Sequence, residues 1–256
     1  MNSHTLHSMH VWVYTFSLLC SRVGFFLVAF PVMWGYVSST RIRVALCIVL
    51  SMLMMLVVDS PSEADQYVLQ IIGEIFLGFL TGTLCRIGFW GVSSAGEWVE
   101  YHMGLGFGRL VDPSTQEESG ILASINTTVC TALFFVSGFY RDTLKGLLEF
   151  TIVFPPGKWN LKPNIAMHVV EKWGDILSFV LFLSMPFVAV SLISHVSIAF
   201  LGKTVPQMSI WSVGFVIVIA VSVVFYNIYF SHWISDCIKI LEYVSYSMKE
   251  IMEVAQ

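Results

Sequence analysis

Few residues of the 256-residue chain could do chemistry, and most of them stand inside apolar stretches. Arg22 lies within the apolar run 11–34, and Glu74 and Arg86 lie within the run 67–92. A charge at mid-bilayer costs at least about 2.5–3.5 kcal/mol, so such residues face protein or water. Arg22 and Glu74 are therefore expected to meet as a buried pair, whereas Arg86 is expected to snorkel from a helix end. The same pair would also suit the midplane site of a small-solute transporter. Ser93 and Ser94, within Gly91-Val92-Ser93-Ser94-Ala95-Gly96, could supply an intramembrane nucleophile with His102 or His195 as base. No spacing positions either histidine for that role, and small residues at a helix end also serve packing. With no H-E-x-x-H and no pair of intramembrane aspartates, no catalytic residue and no cofactor are expected. His4, His7 and His10 recur at steps of three, which drift around a helix and make a poor metal cage. Cys20, Cys47, Cys85, Cys130 and Cys237 form no C-x-x-C pair and read as small buried hydrophobes.

Three further patterns concern packing and motion. Gly78 and Gly82 form G-x-x-x-G, which lets another helix approach closely. Gly104-Leu105-Gly106-Phe107-Gly108 follows no strand, opens no helix and carries no Lys, so it is not a phosphate loop. Gly-rich backbone between membrane-class runs is tolerated where it is buried in protein or lines an aqueous space. Arg109, Asp112, Pro113, Glu117 and Glu118 follow at once, so a mobile loop beside a water-filled path is expected. Cys237, Leu241, Val244, Met248 and Ile251 step by four, three, four and three, a heptad-like seam. The segment 233–252 thus docks along another helix or folds back on the run before it.

The elements that must position these residues follow from composition. Apolar residues make up 56% of the chain and charged residues 12%, with a mean hydropathy of +0.78. Charged residues usually make up about 25% of a soluble domain, so this chain cannot cover itself with water. An ordinary cytosolic enzyme, a disordered segment and a secreted disulfide scaffold are excluded. A formal net charge of −4 argues against a nucleic-acid binder. Six apolar runs, 11–34, 42–58, 67–92, 121–140, 174–201 and 208–230, predict helices that cross or enter a bilayer. The stretches 93–120 and 155–157 read as connections. Pro186 interrupts the fifth run and should kink it. Positive charges do not sort cleanly onto one side, as they do in a simple six-span protein. These helices therefore expect protein partners as well as lipid.

At this point the sequence resembles the FliR/SctT family of type III secretion export-gate proteins, flagellar and injectisome. Arg22 is followed nine residues later by Pro31, and Glu74-Ile75 leads to Gly78 and Gly82, then to Ala95-Gly96-Glu97. Met103-Gly104-Leu105-Gly106-Phe107-Gly108-Arg109-Leu110-Val111-Asp112-Pro113 is similar to the family's Q-M-G-L-x-x-x-x-x-D-P. Val205-Pro206-Gln207-Met208-Ser209 through Gly214-Phe215 is similar to A-P-Q-M-N-x-F-x-x-G-F. His102 replaces the usual Gln and Ser209 the usual Asn, so any amide contact made there must be made differently. Asp112-Pro113 leans toward the flagellar branch.

The resemblance implies an all-α, membrane-associated fold of kinked helical hairpins. It implies a FliP-like part over 1–173, with a plug loop at about 103–122, fused to a FliQ-like hairpin and amphipathic tail over 174–256. It implies a gating subunit of a channel for unfolded polypeptide at the bacterial inner membrane, not an enzyme. Its partners would be FliP/SctR-like and FliQ/SctS-like subunits and an FlhB/SctU-like switch protein. On that reading the plug comprises His102, Met103, Gly104, Leu105, Gly106, Phe107, Gly108, Arg109, Asp112 and Pro113. Arg22, Glu74, Gly78 and Gly82 pack inside, and Pro206, Gln207, Met208, Leu241, Val244 and Met248 meet other subunits.

Overall fold

The computed structural model describes residues 3–30, 39–58, 67–104, 120–157, 163–204 and 210–255. Among the described residues the chain forms seven helices and no strand. They are α1 (Ser3–Ala29), α2 (Thr40–Met55), α3 (Tyr67–His102), α4 (Ile121–Val136), α5 (Phe139–Val153), α6 (Pro163–Thr204) and α7 (Ile210–Ala255). Among the described residues four helical stretches are long and apolar enough to cross a membrane, Met9–Ala29, Tyr67–His102, Met167–Phe200 and Val216–Ile251, and the pair Leu122–Val136 and Phe139–Val153, bent by 72°, makes a fifth if it counts as one span. The all-α membrane class follows from these lengths.

Three expectations change. The stretch from residue 93 is not a connection, because α3 continues to His102. Val92, Ala95, Val99 and Met103 are buried and return at steps of three and four, so one helical face packs throughout. The fourth run breaks at Ser137–Gly138 and resumes as α5, a helix whose charges Arg141, Asp142, Lys145 and Glu149 hide it from an apolar scan. Gly138 takes φ 80°, a left-handed conformation that suits glycine. Finally, the heptad-like tail does not fold back on the run before it, because both lie in the single 46-residue helix α7. α6 likewise continues on both sides of Pro186, whose ring denies the Phe182 carbonyl its helical donor.

The chain divides into two compact units that interleave along the sequence. One comprises residues 1–88, 137–174 and 242–256. In it α1 and the first half of α3 run parallel. The Tyr14 and Tyr67 rings lie 5.4 Å apart, and further along Gly82 meets Phe26 and Ala29. Its core gathers Leu77, Leu80 and Leu84 of α3, Phe150 and Phe154 at the end of α5, Val169 of α6 and Ile251 of α7. Lys172 reaches Glu250 at 2.8 Å, tying the start of α6 to the end of α7.

The other unit comprises residues 89–136 and 175–241. Here α6 and α7 form an antiparallel hairpin: Phe187 packs edge-on to Phe225 and Tyr229, and Gly214 sits against Ile198. The end of α3 runs antiparallel to α4, with Phe89 on Phe134 and Gly96 on Ala123.

Candidate functional site

Two sites carry the sequence-predicted residues, one in each unit. The first is built on α1 and α3. Arg22 Nε donates to Glu74 Oε2 at 2.5 Å, and neither side chain has any exposure. Glycine makes that approach possible. A Cβ on Gly78 would overlap the Arg22 carbonyl, and one on Gly82 would lie 2.6 Å from Ala29 Cβ. The G-x-x-x-G pair is thus used against α1 of the same chain.

Both partners of the pair also hold backbone. Arg22 Nη1 donates to the Phe154 carbonyl at 2.7 Å, placing a cation at the C-terminus of α5 where carbonyls lack helical donors. Glu74 Oε1 accepts from the Gly157 N–H at 3.0 Å, across the Pro155-Pro156-Gly157 turn. Gly157 has φ 79°. Side chains from two helices therefore grip the turn that follows a third. Burying two charges is costly, and it becomes tolerable when their hydrogen-bonding capacity is met, as it is here for four of the five polar side-chain atoms. Arg22 Nη2 is buried and unpartnered.

The second site surrounds the root of the Gly-rich loop. Met103 is buried, and Gly104, with φ 77°, closes α3 by donating to the Tyr101 carbonyl at 3.1 Å. His102 Nδ1 lies 3.4 Å from Ser191 Oγ on α6, a long and weak contact. His195 Nδ1 lies 2.7 Å from the Ser191 carbonyl, which can only accept, so Nδ1 carries the proton. Ser93 and Ser94 stand eight or nine residues before His102 on one helix, about 12–14 Å along its axis. That separation leaves no nucleophile–base contact between them.

Leu105, Gly106, Phe107, Gly108, Arg109, Asp112 and Pro113 lie outside the described residues, as do Pro31, Pro206, Gln207, Met208 and Ser209. Leu241, Val244 and Met248 are buried within the chain. Met248 lies 3.7 Å from Cys85 Sγ and would meet a Cβ on Gly146 at 3.2 Å. At Met248 the seam therefore packs against this chain's own α3 and α5. Two buried residues were missed by the sequence reading, Glu100 and Asn126. Glu100 Oε2 accepts from the Leu122 N–H at 3.1 Å, and Asn126 Oδ1 accepts from the Tyr226 hydroxyl at 2.7 Å. Only their place in a mostly apolar stretch could have flagged them.

The model of bacterial export proteins, family 1, matches residues 13–243, nearly the whole chain. The chain belongs to this family. Among curated relatives, the flagellar biosynthetic protein FliR of Aquifex aeolicus is 25% identical, covering 89% of this chain and 92% of the relative. FliR of Buchnera aphidicola is 28% identical, covering 68% and 67%. The Yop proteins translocation protein T of Yersinia pestis is 21% identical, covering 75% and 72%. Flagellar and injectisome relatives together identify the FliR/SctT family of type III secretion. The chain is a bacterial inner-membrane component of that export apparatus, and the family is not an enzyme family.

Proposed function

We propose that the chain is a structural and gating subunit of the type III export channel, passing unfolded polypeptide across the inner membrane without catalysing a reaction. Residues 103–122 form its plug. His102, Met103 and Gly104 make the root, Leu105 and Phe107 supply an apolar seal, and Gly106 and Gly108 allow the backbone to move. Arg109, Asp112 and Pro113 continue it on the water side. Residues 1–173 act as the FliP-like part and 174–256 as the FliQ-like part. They assemble with FliP/SctR-like and FliQ/SctS-like subunits and meet an FlhB/SctU-like switch protein. Pro206, Gln207 and Met208 serve the subunit interface, whereas Leu241, Val244 and Met248 serve the chain's own packing. The Asp112-Pro113 pair favours the flagellar branch.

The observation that carries this reading is the family match over 13–243, which encloses the whole Gly-rich segment and its Asp-Pro end. In support, polypeptide backbone rich in glycine and charge is sustainable between membrane-class helices only beside protein or water. The transporter reading has no comparable support. Arg22 and Glu74 are fully buried and committed to each other and to the 154–157 turn. Deleting 104–108 tests the plug. The export complex is expected to assemble and the membrane to leak ions. A tight membrane with normal secretion would falsify the assignment.

A further inference from the structure

We infer that α1 and α3 enclose an ordered-water site beside the Arg22–Glu74 pair, in which water joins Arg22 Nη2, Gln70 Oε1 and the Tyr14 hydroxyl. These three atoms are buried and have no hydrogen-bond partner among the described residues. Buried polar atoms of that kind are rare in folded proteins, and between membrane-class helices no bulk solvent relieves them. All three belong to one helix interface. The Tyr14 ring packs on Tyr67, Arg22 reaches Glu74, and Gln70 stands between Tyr67 and Glu74 on α3. The stretch 67–74 rises only about 10 Å. Helical side chains lean toward the N-terminus, so the long Arg22 side chain descends toward the level of Gln70. The Tyr14 hydroxyl lies within electrostatic reach of Tyr67 and of Glu74.

Nearby hydroxyls are committed elsewhere. The Tyr67 hydroxyl donates to Ser17 Oγ at 3.0 Å, Ser17 donates to the Tyr14 carbonyl, and Thr15 donates to the Val11 carbonyl. The donor and acceptor types of the three atoms then select the ligand. Arg22 Nη2 can only donate, Gln70 Oε1 can only accept, and the Tyr14 hydroxyl does either. An anion there would face Glu74 and a cation would face Arg22, so the ligand is neutral. Water accepts from Arg22, donates to Gln70 and bonds Tyr14 in either sense, and two to four polar partners are what a buried water requires. It also supplies the last hydrogen bond of a fully buried guanidinium. On α1 the site has a dry neighbour. Phe26, one turn beyond Arg22 and 1% exposed, lies where a Cβ on Gly82 would meet its backbone carbonyl at 2.8 Å.

The test is X-ray radiolysis of the assembled export complex, with the oxidised side chains read by peptide mass mapping. X-rays split bound water in place, so its hydroxyl radicals mark side chains beside it even where solvent does not reach. Radicals generated in bulk solvent mark only exposed ones. Leu18 is the reporter, because it is 0% exposed and lies midway between Tyr14 and Arg22 at steps of four on α1. Leu18 is expected to be labelled by X-rays and spared by bulk radicals, while Phe26 is spared by both although an aromatic ring reacts more readily. Gln70→Leu with Tyr14→Phe removes two of the three partners and is expected to lose the label on Leu18. If that chain fails to assemble, Tyr14→Phe alone keeps the ring on Tyr67 and should still lower the label. An unlabelled Leu18 in the unaltered complex means that the three atoms pair directly by side-chain rotation, and overturns the inference. Equal labelling by bulk radicals means that the interface opens to solvent, and a label unchanged in the variants means that other groups hold the water. Either result overturns it as well.

Discussion

At the scale of single residues, the Arg22–Glu74 pair makes the sharpest energetic claim. Removing one member of a buried pair leaves an uncompensated charge and costs about 3–5 kcal/mol, more than the pair itself is worth. Arg22→Met and Glu74→Met are each expected to lower the thermal midpoint of the purified complex strongly. The double variant Arg22→Met/Glu74→Met should recover much of the loss, because no lone charge remains. If the double variant falls as far as the sum of the singles, the coupling between them is absent. Glycines give a second contrast at this scale. Gly78→Ala forces α1 and α3 apart at the Arg22 carbonyl. A Cβ on Gly174 meets nothing within 4 Å, so Gly174→Ala should gain about 0.5–1 kcal/mol from helix propensity. Thermal midpoints of the two variants moving in opposite directions would bear this out; equal shifts would refute it.

Among whole elements, much was legible in the sequence and the rest was hidden for identifiable reasons. Apolar runs locate α1, α2, α4 and the central parts of α3, α6 and α7, because lipid and core both demand such runs. The far end of α3 was read as a connection because Ser93, Ser94 and Gly96 look like loop residues. Their smallness instead admits α4, whose backbone reaches Gly96. α5 escaped notice because its buried Thr143, Gly146, Leu147 and Phe150 alternate with charges. Arg22 and Glu74 were identifiable as misfits in apolar surroundings, yet their grip on residues 154 and 157 depends on contacts more than eighty positions distant. Glu100 looked like part of a polar connection for the same reason. The seam of α7 supplies the prediction here. Met248→Ala empties a site between Gly146 and Cys85 and should cost about 2–5 kcal/mol. Tyr246, exposed on the same helix, should tolerate Ala within about 0.5 kcal/mol. Comparable losses at both positions, measured by thermal unfolding, would mean that the exposed face is also packed.

For the molecule as a whole, helix length decides what must cover it. α3, α6 and α7 contain 36, 42 and 46 residues, about 54, 63 and 69 Å of helix, against a hydrocarbon core of about 30 Å. Apolar exposure does not stop where the bilayer would. On α6 it runs from Met167 (74% exposed) through Phe182 (75%) to Phe200 (65%), about 50 Å along the helix. Fitting that length into lipid would require a tilt beyond the range of about 0–40° seen for membrane helices. Part of this surface must therefore be covered by protein, which fits a chain that works inside a hetero-oligomeric apparatus. A lipid-soluble photoreactive probe offers the measurement. In the assembled complex it should label a stretch of about 20 residues of α6 and spare the remainder. The chain purified alone in detergent should be labelled from Met167 to Phe200. If the complex is labelled along that whole length, lipid and not partner protein covers α6, and the apolar excess would not be an assembly surface.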